Sequence, residues 1–534
     1  MKKSNLLENN QLRRAVRYER GFSRRLFLAY GGALSSIPFL GQSASADTAP
    51  SFESDPFSLG VASGDPDHRS VVLWTRLAPQ PLQPRGGMPT QNVAVSWELA
   101  SDESMKTIVA SGVTTATPQL GHSVHVEPTG LPSDRWYWYR FRAGDAESPI
   151  GRTRTLPAPD AMANQLRFAV TSCQNFEQGL FTGYEQMLRD NVDLVFHLGD
   201  YIYEYEAGRG GSVRTHQGNE IQTLDNYRAR YAQYRGDQLL QGMHANCPWF
   251  VTWDDHEFDN NCANEISEEE GIDPIAFLER RANAYQAYYE MMPLRRACLP
   301  TGSDMKIYRR ASYGQLAELL VLDTRQYRTD QPNNDKRSPL NDAALNTANT
   351  MLGRRQKNWL CQKLISSKAK WNVLAQQVMM GLVKRSVIDD VGRYSMDQWP
   401  GYAAERIQLM RFLADRKIAN PVVLTGDIHT NWANELRVDD RREDQPLVAS
   451  EFVATSLCSG GNGVEKPKNL DSILATNACV KFHNAERGYI LCNVTQDSWR
   501  SDYMVVDDVL KPGGNTFSRA AFVVEAGNPK INNA

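Results

Sequence analysis

The sequence predicts an α/β protein with an all-β segment at its front, and three patterns carry that reading. After residue 165, short apolar runs alternate with helical stretches, as in an α/β layer fold. Residues 51–155 instead hold short β-branched and aromatic runs punctuated by Gly, Pro and Asp. Third, several apolar runs of the later part end in clusters of metal-binding side chains. Ligand sites of α/β sheets lie there, outside the carboxyl ends of the strands.

In the front segment the strand candidates are Val71–Thr75, Val93–Trp97 and Trp136–Phe141. Their spacing fits a small β-sandwich of immunoglobulin or fibronectin type over 51–155. The aromatic residues read as sandwich core rather than as a ligand platform. Thr155-Leu156-Pro157-Ala158-Pro159 reads as the linker to a second domain, 164–528. There, strands are expected at Leu166–Thr171, Leu194–Leu198, Phe250–Trp253, Leu319–Leu322 and Val422–Thr425, with a helix over Leu224–Met243. No internal repeat or low-complexity tract interrupts this pattern.

Composition sets the class. The 534 residues are 41% hydrophobic and 23% charged, ordinary globular values with room for two or three domains. Residues 1–46 carry eight Lys/Arg against two Glu, then the apolar stretch Leu26–Leu40, then Ala44-Ser45-Ala46. The order basic, apolar, small-x-small is that of a cleavable signal. The stretch is too short and too interrupted to span a bilayer as a helix. Within it, Ser23-Arg24-Arg25-Leu26-Phe27-Leu28 resembles the twin-arginine export signal, which would send a folded enzyme to the periplasm or outside. Cleavage after Ala46 would remove a net +6 from the formal −3 and leave −9, which argues against a nucleic-acid partner. No other segment is a transmembrane candidate. Eight dispersed cysteines form no C-x-x-C pair, and one or two disulfides stay open after export.

The chemistry lies in the strand-end clusters. Gly199-Asp200-x-x-Tyr203 offers a carboxylate able to bridge two cations and, three residues on, a phenol able to bind a hard trivalent metal. Core packing is the other reading of Tyr203, and the Gly-Asp context favours the ligand. Cys173 follows the first strand. As a phosphatase nucleophile it would need an Arg six residues later, where Gly179 stands, so a metal thiolate is preferred over a buried structural thiol. Thiolate and phenolate together favour iron(III) over magnesium. In Trp253-Asp254-Asp255-His256-Glu257, consecutive carboxylates repel unless cations hold them, and hard oxygen ligands suit Ca²⁺ or Mg²⁺. His256 is placed to protonate a leaving group or hold a phosphate oxygen. Asp427 and His429 in Gly426-Asp427-Ile428-His429 project to the same side of an extended segment and read as metal ligands. Asp323 reads as a ligand or its supporter. Arg325 reads either as a phosphate contact or as the ion-pair partner of Asp323.

These clusters together resemble the calcineurin-like metallophosphoesterases. The wording is closer still to the PhoD-type alkaline phosphatases: Gly60-Val61-Ala62-Ser63-Gly64-Asp65-Pro66, Val72-Leu73-Trp74-Thr75-Arg76, Thr252–Glu257, Asp323-Thr324-Arg325 and Trp499-Arg500-Ser501-Asp502-Tyr503, over about residues 55–528. The resemblance implies an N-terminal β-sandwich, a four-layer αββα catalytic domain and a site of one Fe³⁺ with Ca²⁺. It implies that Cys173, Asp200 and Tyr203 hold the iron and that Asp200 bridges to calcium. Asp255 and His256 fall at the Asn and His of the general Gly-Asn-His-Glu motif. Asp427 and His429 fall at the two histidines of Gly-His-x-His. Cys173 and Asn175 depart from the usual Asp-x-His, which speaks for the iron–calcium variant over a Mn or Zn pair. Asn261-Cys262 departs from the common Asn-Asn-Tyr.

The expected function is an exported metal-dependent phosphatase that releases phosphate from monoesters and diesters. Two alternatives stand beside it: a phospholipase D-like phosphodiesterase, and a non-catalytic exported binding protein built on the sandwich. No amphipathic basic helix favours the first, and the intact ligand clusters oppose the second. A P-loop NTPase is excluded, since the chain has no Gly-Lys dipeptide.

Overall fold

The computed structural model describes residues 51–534; the leader expected to be a twin-arginine signal, with Ala44-Ser45-Ala46, lies outside them. Two sheets dominate the part after residue 160. In the first, Gln165–Thr171, Leu194–His197 and Trp249–Val251 run parallel. In the second, Ala317–Val321, Trp371–Ala375, Pro421–Thr425 and Leu447–Val453 are parallel neighbours. The 16-residue strand Val480–Thr495 belongs to both. Its first residues pair antiparallel with Asn431–Asn434, and its last with Gln165–Val170.

Strand periodicity assigns the cores. Side chains alternate between the two faces of a sheet. Leu166, Phe168 and Val170 therefore share a core with Leu319, Val321, Val373 and Leu424. The intervening Ala169, Val195 and Trp249 join a second core with residues of the helices Leu224–Arg235, Gln238–Asn246 and Pro274–Met291. On the other sheet, Leu320, Leu374 and Val423 join a third core with Gly353–Ser366 and Ala403–Asp415. Strands buried on both faces read as unbroken apolar runs, which is how they stood out in the sequence.

The predicted helix over 224–243 is two helices. Gly236 ends the first, and the Asp237 carboxylate accepts from the amides of Leu239 (2.9 Å) and Leu240 (3.1 Å), capping the second. In the front segment, five antiparallel strands between Val93 and Arg154 form one sheet. Val61, Leu73 and Val124 from three further strands share its apolar core with Val95, Tyr139 and Phe141. This segment is tied to the rest: Gly64 pairs with Trp249, and Arg309 forms a 2.6 Å ion pair with Asp65. All eight cysteines are free, so neither of the possible disulfides forms. No helix of the described residues is long and apolar enough to cross a membrane.

Candidate functional site

The parallel strands of both sheets deliver their carboxyl ends to one place, and the chain turns sharply as it leaves them. Cys173 (φ 55°), Asp200 (φ 54°), Asp427 (φ 70°) and His429 (φ 54°) all adopt the left-handed conformation. Side-chain-bearing residues seldom adopt it, and each such residue costs about 1–3 kcal/mol. Four of them in one site mark strain held for a purpose. Gly199 explains part of the geometry. Its φ is 108°, and a Cβ there would lie 2.3 Å from the Asp254 Cβ, so only glycine lets the Asp200 and Asp254 loops touch. Glu257 pins the same loops. Its buried carboxylate accepts from the amides of Asp200 (3.0 Å), Tyr201 (2.5 Å) and Asp254 (2.8 Å).

Three overlapping donor groups result. Donor atoms of Cys173, Asp200 and His429 all lie within 4.8 Å of one another. The Tyr203 hydroxyl joins them, donating to Asp200 Oδ2 (2.9 Å) and lying 3.1 Å from His429 Nε2. Ser459 Oγ donates to that hydroxyl at 2.9 Å. Burial, then Asp200, pushes both the Cys173 thiol and the Tyr203 phenol well above their ordinary ranges. With protein groups alone around them both keep their protons, and a cation among these four donors is what would remove them. Sulfur, phenol oxygen and carboxylate, all buried, with the partly exposed His429 imidazole thus fit a transition-metal ion. Asp200 also groups with Asp255 and His256 within 4.8 Å, which places it where a bridging carboxylate is needed. Asp254, Asp255 and Asp427 form a third group, all oxygen donors. Burial, helped by Asp397 and Asp255, lifts the Asp427 carboxyl to about 7 against the pull of Arg325. That crowding of buried carboxylates fits a hard divalent cation.

His256 stacks on Tyr203 with ring centroids 4.3 Å apart, and its Nδ1 lies 2.8 Å from Glu204 Oε2. Burial opposes its charge, but Glu204, Asp200 and Asp255 outweigh it and hold His256 well above the ordinary histidine range. The protonated ring is thereby favoured, and it faces a cavity of about 380 Å³ that Asp200, Asp255, Asp427 and His429 also line. A positioned imidazolium beside a phosphate site can give its proton to a leaving oxygen.

Arg325 does not pair with Asp323 through its guanidinium, one of the two roles the sequence offered. Asp323 accepts from its backbone amide (3.0 Å) rather than from its guanidinium, and is buried as a support for that loop. The guanidinium donates to Asp254 through Nε, to Asp397 through Nη1 (2.8 Å) and to Asp427 through Nη2 (2.9 Å). A further 3.4 Å ion pair reaches Asp255. Arg325 is a buried counter-charge, each of its three nitrogens donating to a carboxylate. Asn175 also stays out of the donor sets, accepting from the Glu177 amide at 3.0 Å. Sequence reasoning missed Asp397 and Glu204. Asp397 follows no apolar strand, and Glu204 only gains meaning from the histidine packed on it.

Comparison with known proteins bears on all of this. Residues 168–503 match the family model described as PhoD-like phosphatase, and residues 42–157 match that of the PhoD-like phosphatase N-terminal domain. Alkaline phosphatase D of Bacillus subtilis (strain 168) is 49% identical over 518 residues, covering 94% of this chain and 88% of that protein. A solved structure of PhoD is 50% identical, covers 91% of this chain and 93% of its own, and superposes with a TM-score of 0.89. The chain belongs to the PhoD-like phosphatase family, and it is a hydrolase of phosphate esters.

Proposed function

We propose that this hydrolase is a metal-dependent phosphatase of both phosphomonoesters and phosphodiesters. Cys173, Asp200, Tyr203 and His429 would hold Fe³⁺, and Asp255 and Asp427, with Asp200 as bridge, would hold Ca²⁺. The observation that carries this reading is the convergence of a thiol, a phenol, a carboxylate and an imidazole from three separate strand ends. Bound there, the cations would supply charge neutralisation for the reacting phosphate. The remaining work falls to the chain itself. His256, held by Glu204, donates a proton to the leaving oxygen. Glu257 orients the Asp200 and Asp254 loops, and Arg325 keeps the acidic loops together.

We also propose that residues 1–46 are a twin-arginine signal and that the mature enzyme works in the periplasm or outside the cell. The order of basic, apolar and Ala-x-Ala segments supports this. Two domains are proposed, a β-sandwich of immunoglobulin or fibronectin type over 51–155 and a four-layer αββα unit over 164–528. The shared core of the front segment and the three stacked cores of the rest support them. The phospholipase D-like reading has one observation in its favour. The hairpin of Ser386–Ile388 and Val391–Arg393, next to the cavity, exposes Val387, Ile388 and Val391.

The test is phosphate release from paired mono- and diester substrates with and without a calcium chelator, alongside a visible spectrum. Chelator-sensitive turnover and a charge-transfer band that Tyr203→Phe shifts are expected. A colourless, iron-free enzyme of full activity would refute the iron assignment.

A further inference from the structure

The cavity has a basic component that the donor sets leave unused. Its lining includes Arg337 and Arg385 as well as the carboxylates and histidines. Arg325 is not part of that lining, and each of its three nitrogens donates to a carboxylate. Arg385 is its opposite. No carboxylate pairs with it among the described residues, and its Nη1 is buried with no hydrogen-bond partner. Its guanidinium carbon sits 5.0 Å from the centroid of the Trp432 ring, a cation–π contact that restrains where the group lies.

The root of the side chain is fixed too. The Arg385 amide donates to the Arg393 carbonyl at 2.8 Å, across the base of the 386–393 hairpin. Next to it, the Lys384 amide donates to Asn477 Oδ1 at 2.7 Å. Burial, followed by Arg337, lowers the Arg385 pKa to about 10, which leaves it charged at neutral pH. A half-buried cation with an unpaired, buried donor nitrogen is costly unless an anion completes it. The enzyme's substrate and product both bring such an anion, and the guanidinium fork matches phosphate oxygens.

We propose that Arg385, backed by the exposed Arg337 on the same cavity, is the phosphate clamp of this site: its guanidinium takes a non-bridging oxygen of the substrate phosphate and of the released phosphate. The inference rests on the proposed reading of the site. It has a consequence for selectivity. A monoester dianion gains more from this fixed cation than a diester monoanion does, so Arg385 biases the enzyme toward monoesters.

The experiment measures competitive inhibition by inorganic phosphate and kcat/KM for a monoester and a diester, in metal-loaded enzyme of verified metal content. Arg385→Ala is expected to raise the phosphate Ki about tenfold or more, and to lower monoester kcat/KM more than diester kcat/KM. Arg385→Lys keeps the charge but loses the fork, and should fall between. Arg337→Ala should have a smaller effect of the same sign. An unchanged phosphate Ki in folded, metal-replete Arg385→Ala overturns the proposal. If that variant does not fold, an unchanged Ki in Arg385→Lys does the same. Asp200→Asn separates the two layers. Full activity in it would sink the reading of the site. An inactive Asp200→Asn beside an unchanged phosphate Ki in the Arg385 variants would sink the clamp alone.

Discussion

Glu257 gives a sharp test of how the site is held. Its carboxylate is buried and faces three backbone N–H groups, of Asp200 (3.0 Å), Tyr201 (2.5 Å) and Asp254 (2.8 Å). Burial, and next the charge of Asp200, pushes its pKa to about 8, while the three amides pull it down. All its neighbours there are donors, so the geometry favours the ionised form, and a cation on Asp200 would weaken the main repulsion. Glu257→Gln keeps the shape. Its oxygen can retain the Asp200 and Asp254 amides, but its NH₂ then faces the Tyr201 amide. One charge-assisted bond is lost and a buried donor is left unpaired, at a cost of about 2 kcal/mol. Glu257→Ala removes all three acceptors, at a cost of roughly 5 kcal/mol. Urea unfolding followed by tryptophan fluorescence reads both. Because the amides belong to strained loops, metal content and turnover should fall in step with stability. A Gln variant as stable and active as the parent would show that Glu257 is neutral in the folded protein, and the reasoning from its three donors would fail.

Arg325→Ala leaves Asp254, Asp397, Asp427 and Asp255 without their shared counter-charge. It should cost about 3–5 kcal/mol in urea unfolding, with partial rescue by added calcium. His256→Gln should slow alkyl phosphate esters by about 10²-fold or more and nitrophenyl esters far less, since only poor leaving groups need the proton. Equal losses on both, measured as kcat/KM, would deny the acid role. His197 is fully buried with both ring nitrogens unpaired, and burial lowers its pKa to about 3. The unfolded chain therefore binds a proton below its ordinary value of 6.5 that the folded protein refuses. The stability is complete above that pH and falls on acidification toward 3, by about 2 kcal/mol already at pH 5. His197→Phe should flatten this loss between pH 7 and 5 in unfolding curves, and an unaltered slope would refute it.

The sequence by itself determined the α/β class and most of the residues that the fold brings together at the strand ends. Both rest on local signals. A strand buried on both faces must be an apolar run, and a ligand after it must stand at the strand's carboxyl end, so Cys173, Asp200, Asp255, Asp427 and His429 were legible without knowing their neighbours. Tyr203 was legible through its spacing from Asp200. Tertiary structure alone decided the rest. Whether Arg325 met phosphate or carboxylate depended on Asp254, Asp397 and Asp427, which lie 71, 72 and 102 residues away. The charge of His256 depended on Glu204, 52 residues upstream. Arg385 looked like any surface arginine until the fold set it half-buried against Trp432 with one nitrogen unpaired. The physical reason is the same in each case. A side chain's donor type is a property of the residue, but its charge and its partner are set by the field and the burial around it, and those exist only once distant segments meet.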